Sequence, residues 1–374
     1  MKLRAAHAST GLLFASLAIG AWARVWELGK RSLWWDELSC VVPAASSASF
    51  GELKRVWLDV DGHPPGFIPA LYAWFKLVPA TEITARLPSC VAGLLTLVLL
   101  ALAPERRLPR SAAFYAAALY ALGSEVIYYA QTVRQYGFLI TFSLGALLEW
   151  SEIYSVASVR RAAWVRLTAW LIALAYCHYL GLLLVAAIFG VAALRAWRQK
   201  GGIQVVSISA AAFGLAYVPG LFALARGMAL RLGHWQSNDP LPQLALQFVQ
   251  RGFLGRLWWL PVLAIAAAGM FAFRRARPWS FGADPRFRAI AWVACLMVVQ
   301  LALLSTRSPF LQLRYSLILY APTLLLLAWV LSQLAPLDSL RGSVVLAAIV
   351  ASGLVSYSDY RGTQKQDCAP ARSA

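Results

Sequence analysis

Residues 66–80 read GFIPALYAWFKLVPA, and whether this stretch crosses lipid or lies on it decides how the rest of the chain is threaded. A transmembrane helix needs about twenty consecutive apolar residues. This stretch has fifteen, with Lys76 inside it and prolines at Pro69 and Pro79. Laid flat, it puts Tyr72, Trp74 and Lys76 at headgroup depth, where amphipathic side chains are stable. The charges that follow agree. With 66–80 in the interface, residues 86–103 run inward as a span, and Arg106, Arg107 and Arg110 fall in the cytoplasm, as the positive-inside rule requires.

The surrounding chain has to be read as membrane protein in the first place. Charged residues make up 13% of the 374, about half the share usual in a soluble globule, and mean hydropathy is +0.63. Long leucine- and alanine-rich runs, rather than ten-residue alternating segments, select helices over a barrel. The expected fold is therefore an all-α polytopic membrane protein. The net charge of +18 needs no nucleic acid, because much of it marks the cytoplasmic ends of helices.

Working outward from 66–80, residues 9–26 form an uncleaved first span, with Lys2 and Arg4 holding the N-terminus in the cytoplasm. The polar residues 27–65 form an external loop. Spans follow at 111–128, 137–154, 165–177, 180–197, 203–224, 257–273, 289–304, 315–334 and 344–357, eleven in all. Residues 225–256 are a second external loop. Lysines and arginines divide evenly between the two sides, so it is their density in short inner turns, above all Arg274, Arg275, Arg277, Arg286 and Arg288, that sets the orientation. The expected organisation is a catalytic transmembrane module at 1–225 including the external segment 27–82, C-terminal transmembrane helices at 226–357, and a tail at 358–374.

Ionisable groups at membrane depth are costly, so each is a candidate for function. In LWWDELS, Asp36 and Glu37 follow two tryptophans at the external interface; the structural alternative is that Asp36 caps a short helix beginning at Glu37. In LDVDGHPPG, Asp59, Asp61 and His63 precede a double proline, and Gly62 permits a tight turn that aims Asp61 or His63 into a cavity. The alternative there is an Asx-type turn opening the interfacial helix. The same three residues leave a divalent metal open, and no cofactor is otherwise called for. The five cysteines lack metal or redox spacing, and nothing in the spacing requires Cys40 and Cys90 to be bridged.

Arg86 in TARLPS, Arg134 and Tyr136 in YYAQTVRQYG, and Arg314 and Tyr315 in LQLRYSL each stand at the outer mouth of a span. One external arginine is ordinarily a snorkelling residue. Three of them fit a phosphate at the interface, since guanidinium forks match its oxygens. Acids facing arginines across one external cavity suit transfer chemistry: a carboxylate as base on the acceptor, arginines on an anionic leaving group. No GxxxxGK[ST] or GxGxxG is present to hold a nucleotide.

Taken together, the acidic pair after the first span, the HPP before an interfacial helix, the ARLPS start of the second span and the Y-x-x-x-x-R-x-Y stretch resemble the GT-C superfamily. The branch is that of the protein O-mannosyltransferase and aminoarabinose transferase-like glycosyltransferases. The resemblance covers about residues 8–200 and the Arg314–Tyr315 motif. It implies transfer of a sugar, usually with inversion, from a polyprenyl-phosphate carrier on the external face of the cytoplasmic membrane. In that reading Asp36 is the general base, Glu37 supports it, and His63 lines the site. Arg86, Arg134 and Arg314 engage the lipid phosphate, and His178–Tyr179 matches a His–Tyr element of some members. Larger relatives carry a soluble domain that this sequence lacks, which leaves the acceptor open among protein, lipid and polysaccharide. A transporter or flippase of lipid-linked sugar is the main rival, and a scaffold subunit with a degenerate site a second. A transporter needs a site reachable from both faces, usually between paired halves, and no such halves are visible in the sequence.

Overall fold

The computed structural model describes residues 2–60, 63–156, 160–231, 240–255, 257–274, 283–307 and 312–367. These residues are helical with short connections, and no strand occurs among them. After α1 (Lys2–Val25), the first loop folds into three short helices, α2 (Trp35–Ser46), α3 (Phe50–Val60) and α4 (Phe67–Phe75). The sequence pattern placed only the last of these explicitly. Longer helices follow as α5 (Glu82–Ala101), α6 (Arg110–Leu122), the short α7 (Ser124–Ala130), α8 (Tyr136–Ser155), α9 (Arg161–Cys177), α10 (Gly181–Gln199) and α11 (Ile203–Arg231). The C-terminal part comprises α12 (Leu241–Val249) with a π-turn at Gln250–Leu254, α13 (Trp259–Arg274), α14 (Pro285–Arg307), α15 (Leu313–Ser316), a 3-10 turn, α16 (Tyr320–Leu334) and α17 (Leu340–Asp367).

Six segments are long and apolar enough to cross a bilayer: α5, α10, Ile203–Arg226, Pro285–Thr306, Leu313–Leu334 and Leu340–Tyr357, with a seventh if the bent pair around α12 and α13 counts as one. Leu215 and Phe222 on α11 and Leu303 on α14 are largely exposed, as lipid-facing side chains are. The chain is a multi-pass membrane protein. The other five expected spans map onto α1, α6 with α7, α8, α9 and α13, which do not reach that standard as single helices.

Two expected spans are broken, each for a local reason. The third stops at Gly123, where a Cβ would lie 2.4 Å from the carbonyl oxygen of Gly252 in the π-turn. Arg24 at the end of α1 meets the carbonyls left by that break: it donates to Tyr120 O (2.8 Å) and Ala121 O (3.1 Å) and stacks 4.6 Å from the Tyr120 ring. A fully buried arginine thus serves as a cap, its charge at the negative end of α6. The tenth is interrupted by the 3-10 turn Leu317–Leu319 ahead of Pro322, whose ring would strike the carbonyl one turn earlier in a continuous α-helix.

α6 sits at the centre. Ala112, Ala113 and every residue from Tyr115 to Leu122 are buried, and the helix packs against α1, α5, α16 and α17. Because α16 and α17 lie beyond residue 226, the two expected modules share one core. α11 and α17 also run past the expected boundaries at 225 and 357.

α5 is the helix that positions the site. Thr81 and Thr84 cap its start reciprocally, Thr84 N donating to Thr81 Oγ1 and Thr81 N to Thr84 Oγ1 (3.2 and 2.8 Å). Pro88 removes the amide that would have bonded Thr84 O. Trp74 Nε1 of α4 takes that place at 2.8 Å and ties α4 to α5.

Candidate functional site

The site is built on two buried anchors. Glu37 and Arg86 form a salt bridge at 2.7 Å with both side chains almost wholly excluded from solvent. Arg86 Nε donates to Glu37 Oε1 (2.9 Å), Nη2 to Glu37 Oε2 and to Ser32 O (3.1 Å), and Nη1 to Leu28 O and Arg31 O (2.9 Å each). Those five bonds use all five N–H groups of the guanidinium, so in this geometry Arg86 has none left for a phosphate. It folds the residues between α1 and α2 around itself. Glu37 Oε1 also accepts from Val133 N (2.9 Å), and Oε2 from Trp34 N (3.3 Å) at the start of α2.

The connection between α7 and α8 is the second anchor. Gln131 donates to Ala23 O and Trp26 O at the end of α1 (2.7 and 2.9 Å) and accepts from Arg31 (3.1 Å). Ser89 Oγ donates to Arg134 O (3.2 Å), and Cys177 Sγ to Gln135 O (3.2 Å). A loop bonded along its length holds Arg134 at the mouth of α8.

Asp36 lies one residue from the buried pair and points elsewhere. Its Oδ2 receives Arg134 Nη2 at 3.1 Å and Arg314 Nη1 at 3.4 Å, and it keeps about a fifth of its side chain exposed. The helix that Asp36 would cap in the structural alternative starts instead at Trp35, after Trp34, and Asp36 sits inside its first turn. Arg134 Nη1 also reaches Cys40 Sγ at 3.4 Å. Burial works against the Arg134 charge, but Cys40 and Asp36 more than offset it and hold the guanidinium above its usual range. Arg314 is braced by Gln312 Oε1 (2.8 Å) and its own neighbour Tyr315, 5.1 Å from the ring centre.

An aromatic wall completes the site. The His178 ring lies 5.5 Å from Tyr136, 6.4 Å from His63 and 6.4 Å from Tyr315, and Tyr136 in turn lies 4.6 Å from Tyr129. His63 reaches the group because Gly66, just after the double proline, presses against α9: a Cβ there would lie 2.2 Å from Tyr176 O. His178 ends α9, and its Nδ1 accepts from Leu180 N at 3.1 Å.

Of the expected site residues, Asp36, Arg134 and Arg314 meet directly, and His63, Tyr136, His178 and Tyr315 adjoin one another. Glu37 and Arg86 form the buried support, and Asp61 falls outside the described residues, as does the side chain of Asp59. Among the described residues no three His, Cys, Asp or Glu side chains gather as metal ligands would. The donor set also suits a cation poorly: Glu37 is spent on Arg86 and two amides, and Asp36 on two arginines. Cys40 and Cys90 are buried free thiols. Sequence reading missed Gln131 and Cys40. Neither carries a charge, so nothing in the pattern singled them out.

No protein-family model matches the chain, and no curated protein matches it. Among solved structures it is similar to ArnT from Cupriavidus metallidurans in the apo state, with a TM-score of 0.62 at 17% identity over 87% of this chain and 60% of that one. The same protein bound to undecaprenyl phosphate gives 0.58 at 16% identity over 86% and 60%. An oligosaccharyltransferase from Archaeoglobus fulgidus, solved in complex with Zn and sulfate, gives 0.52 at 13% identity over 93% and 53%. The shared feature is the fold, an all-helical polytopic membrane architecture of the kind the sequence led us to expect. The chain spans 60% or less of the length of these proteins.

Proposed function

We propose that this protein is a glycosyltransferase that moves a sugar from a polyprenyl-phosphate donor to an acceptor at the external face of the cytoplasmic membrane, with Asp36 as general base. The observation that carries the reading is the single carboxylate oxygen of Asp36 held by Arg134 and Arg314, arginines that reach it from far-apart points in the chain. The resemblance in fold to a protein solved with undecaprenyl phosphate bound supports a donor of that class.

In the absence of donor, Asp36 stands in for an anion between the two guanidinium groups. A phosphate arriving at Arg134 and Arg314 competes for those donors and releases Asp36 toward the acceptor. The acceptor hydroxyl then attacks the anomeric carbon from the side opposite the phosphate. Its proton goes to Asp36, the new C–O bond forms, and the bond from the anomeric carbon to the phosphate oxygen breaks, so inversion results. The departing electron pair stays on the polyprenyl phosphate, where the arginines stabilise it. His63, Tyr136, His178 and Tyr315 supply ring faces and polar edges against which a sugar packs. Arg86 acts through Glu37: it fixes the first turn of α2, and with it the direction of Asp36.

The test is sugar transfer by purified full-length protein from a radiolabelled polyprenyl-phosphate sugar to envelope acceptor extract. Asp36→Asn should reduce product by at least about a hundredfold, as loss of a general base does, while still binding polyprenyl phosphate. Transfer at the parent rate by this variant would remove the proposed base.

A further inference from the structure

The other end of the bundle holds a cavity that the transfer chemistry does not use. It has a volume of about 260 Å3 and opens where the last turns of α8 and α10 meet the first turns of α9 and α11. Glu152 lines it, sixteen residues after Tyr136 on α8, which puts it roughly 24 Å along the axis from the Asp36 site.

Its charge is unbalanced. Glu152 is the one carboxylate among the described lining residues, and it is already committed: Oε1 to Arg106 (2.8 Å) and Arg160 (3.1 Å), Oε2 to Arg107 (2.9 Å). Arg195 faces it with no carboxylate partner among the described residues. Its Nε donates to Gln199 Oε1 (3.2 Å), Nη1 to Tyr154 O, and its guanidinium lies 4.2 Å over the Tyr154 ring, which leaves Nη2 open. Arg288, exposed on α14, adds a further positive charge that repels it. The remaining wall is apolar and aromatic, with Trp150, Trp164 and Val205.

We propose that this cavity is a second anion site that takes a phosphate ester, with Arg160 and Arg195 as its donors. A guanidinium with an unused N–H and no acid partner, set beside apolar wall at the end of a lipid-embedded bundle, is suited to a phosphate at headgroup depth. The volume admits a headgroup rather than a whole lipid, whose chains would stay in the bilayer beside α9 and α11. The site stands apart from Asp36 and does not depend on the transfer reading.

Delipidated full-length protein in neutral detergent, titrated by native mass spectrometry, tests this. Phosphatidylglycerol, zwitterionic phosphatidylcholine and soluble glycerol 3-phosphate are the three probes. Phosphatidylglycerol should bind the parent more tightly than phosphatidylcholine, and Arg195→Gln should weaken it by about tenfold, the loss expected for a charge-assisted hydrogen bond. Arg195→Lys should retain most of the binding. Arg160→Gln is the second variant, because its side chain is half exposed and Glu152 keeps Arg106 and Arg107 without it. Arginine-dependent binding of glycerol 3-phosphate as well would identify a soluble ester as a ligand, and its absence would assign the site to lipid. Equal phosphatidylglycerol binding by the parent and both glutamine variants, or no preference over phosphatidylcholine, overturns the proposal.

Discussion

Asp36 and Glu37 are neighbours with opposite fates, and the difference comes from where one helical turn places them. Glu37 faces inward and meets Arg86 with almost no solvent, whereas Asp36 turns about a hundred degrees away toward Arg134 and Arg314. Removing one member of a buried ion pair leaves the other uncompensated, at a cost of about 3–5 kcal/mol. Glu37→Gln should therefore lower the melting temperature of detergent-purified protein markedly and reduce transfer through loss of α2. Asp36 is a fifth exposed and its amide would keep an acceptor for Arg134, so Asp36→Asn should lower the melting temperature less than Glu37→Gln while abolishing transfer. Thermal unfolding of the two variants side by side checks the division; equal destabilisation would merge the two roles. A third variant separates Arg314 from both. Arg314→Ala should weaken polyprenyl-phosphate binding by about tenfold, the scale of one charge-assisted bond, with little change in melting, since its guanidinium is partly solvated. The acids and arginines were legible in the sequence because charge at membrane depth is conspicuous. The split between Arg86 and the other two arginines was not, because five carbonyl and carboxylate partners drawn from residues 28–37 leave no mark in the pattern around residue 86.

At the scale of elements, hydropathy pointed to helices throughout, but among the described residues only six of the eleven expected spans are long and apolar enough to cross a bilayer as single segments. Residues 66–80, read as too short for a span, contain the short helix α4, and the Trp74–Thr84 bond shows what one of the four aromatics in that stretch is for: it satisfies a carbonyl that Pro88 orphans. Trp74→Phe keeps the ring and loses the donor. It should cost about 1–3 kcal/mol, the penalty of an unsatisfied carbonyl, seen as a lower melting temperature and weaker activity from a displaced α4. Gly123 marks the break between α6 and α7, and Gly123→Val would drive a branched side chain into Gly252 O. That substitution should reduce the yield of folded protein, measured by monodispersity on size-exclusion chromatography. The break itself was invisible in residues 111–128, since nothing in ALYALGSEVIYYA distinguishes a glycine within a span from one pressed on a distant turn. The helices of the first loop were also hard to see: α2 and α3 are eleven or twelve residues long and amphipathic, and their polar faces read as loop.

For the molecule as a whole, the two ends of the bundle differ in kind. One end carries Asp36 between two arginines, and beside it the aromatic wall and α2 to α4. At the other end Glu149 and Glu152 lie almost wholly buried beneath Arg106, Arg107, Arg160 and Arg166. The two glutamates share a face of α8 at a spacing of three residues. They tie four arginines from three segments into one network and still leave that end positive, which is the charge a cytoplasmic leaflet attracts. If that is the inner end, residues on α3 are outside and the turn after α10 is inside. Lys54 and Lys200 are both exposed and lie at opposite ends. In a background where the exposed Cys295 and the tail residue Cys368 are replaced by Ser, Lys54→Cys should react in intact cells with a membrane-impermeant maleimide. Lys200→Cys should react only after the membrane is opened. The reverse pattern would turn the protein over and move the proposed transfer site to the cytoplasmic face, where nucleotide sugars rather than lipid carriers are at hand. The geometry around Asp36 would then need a different donor.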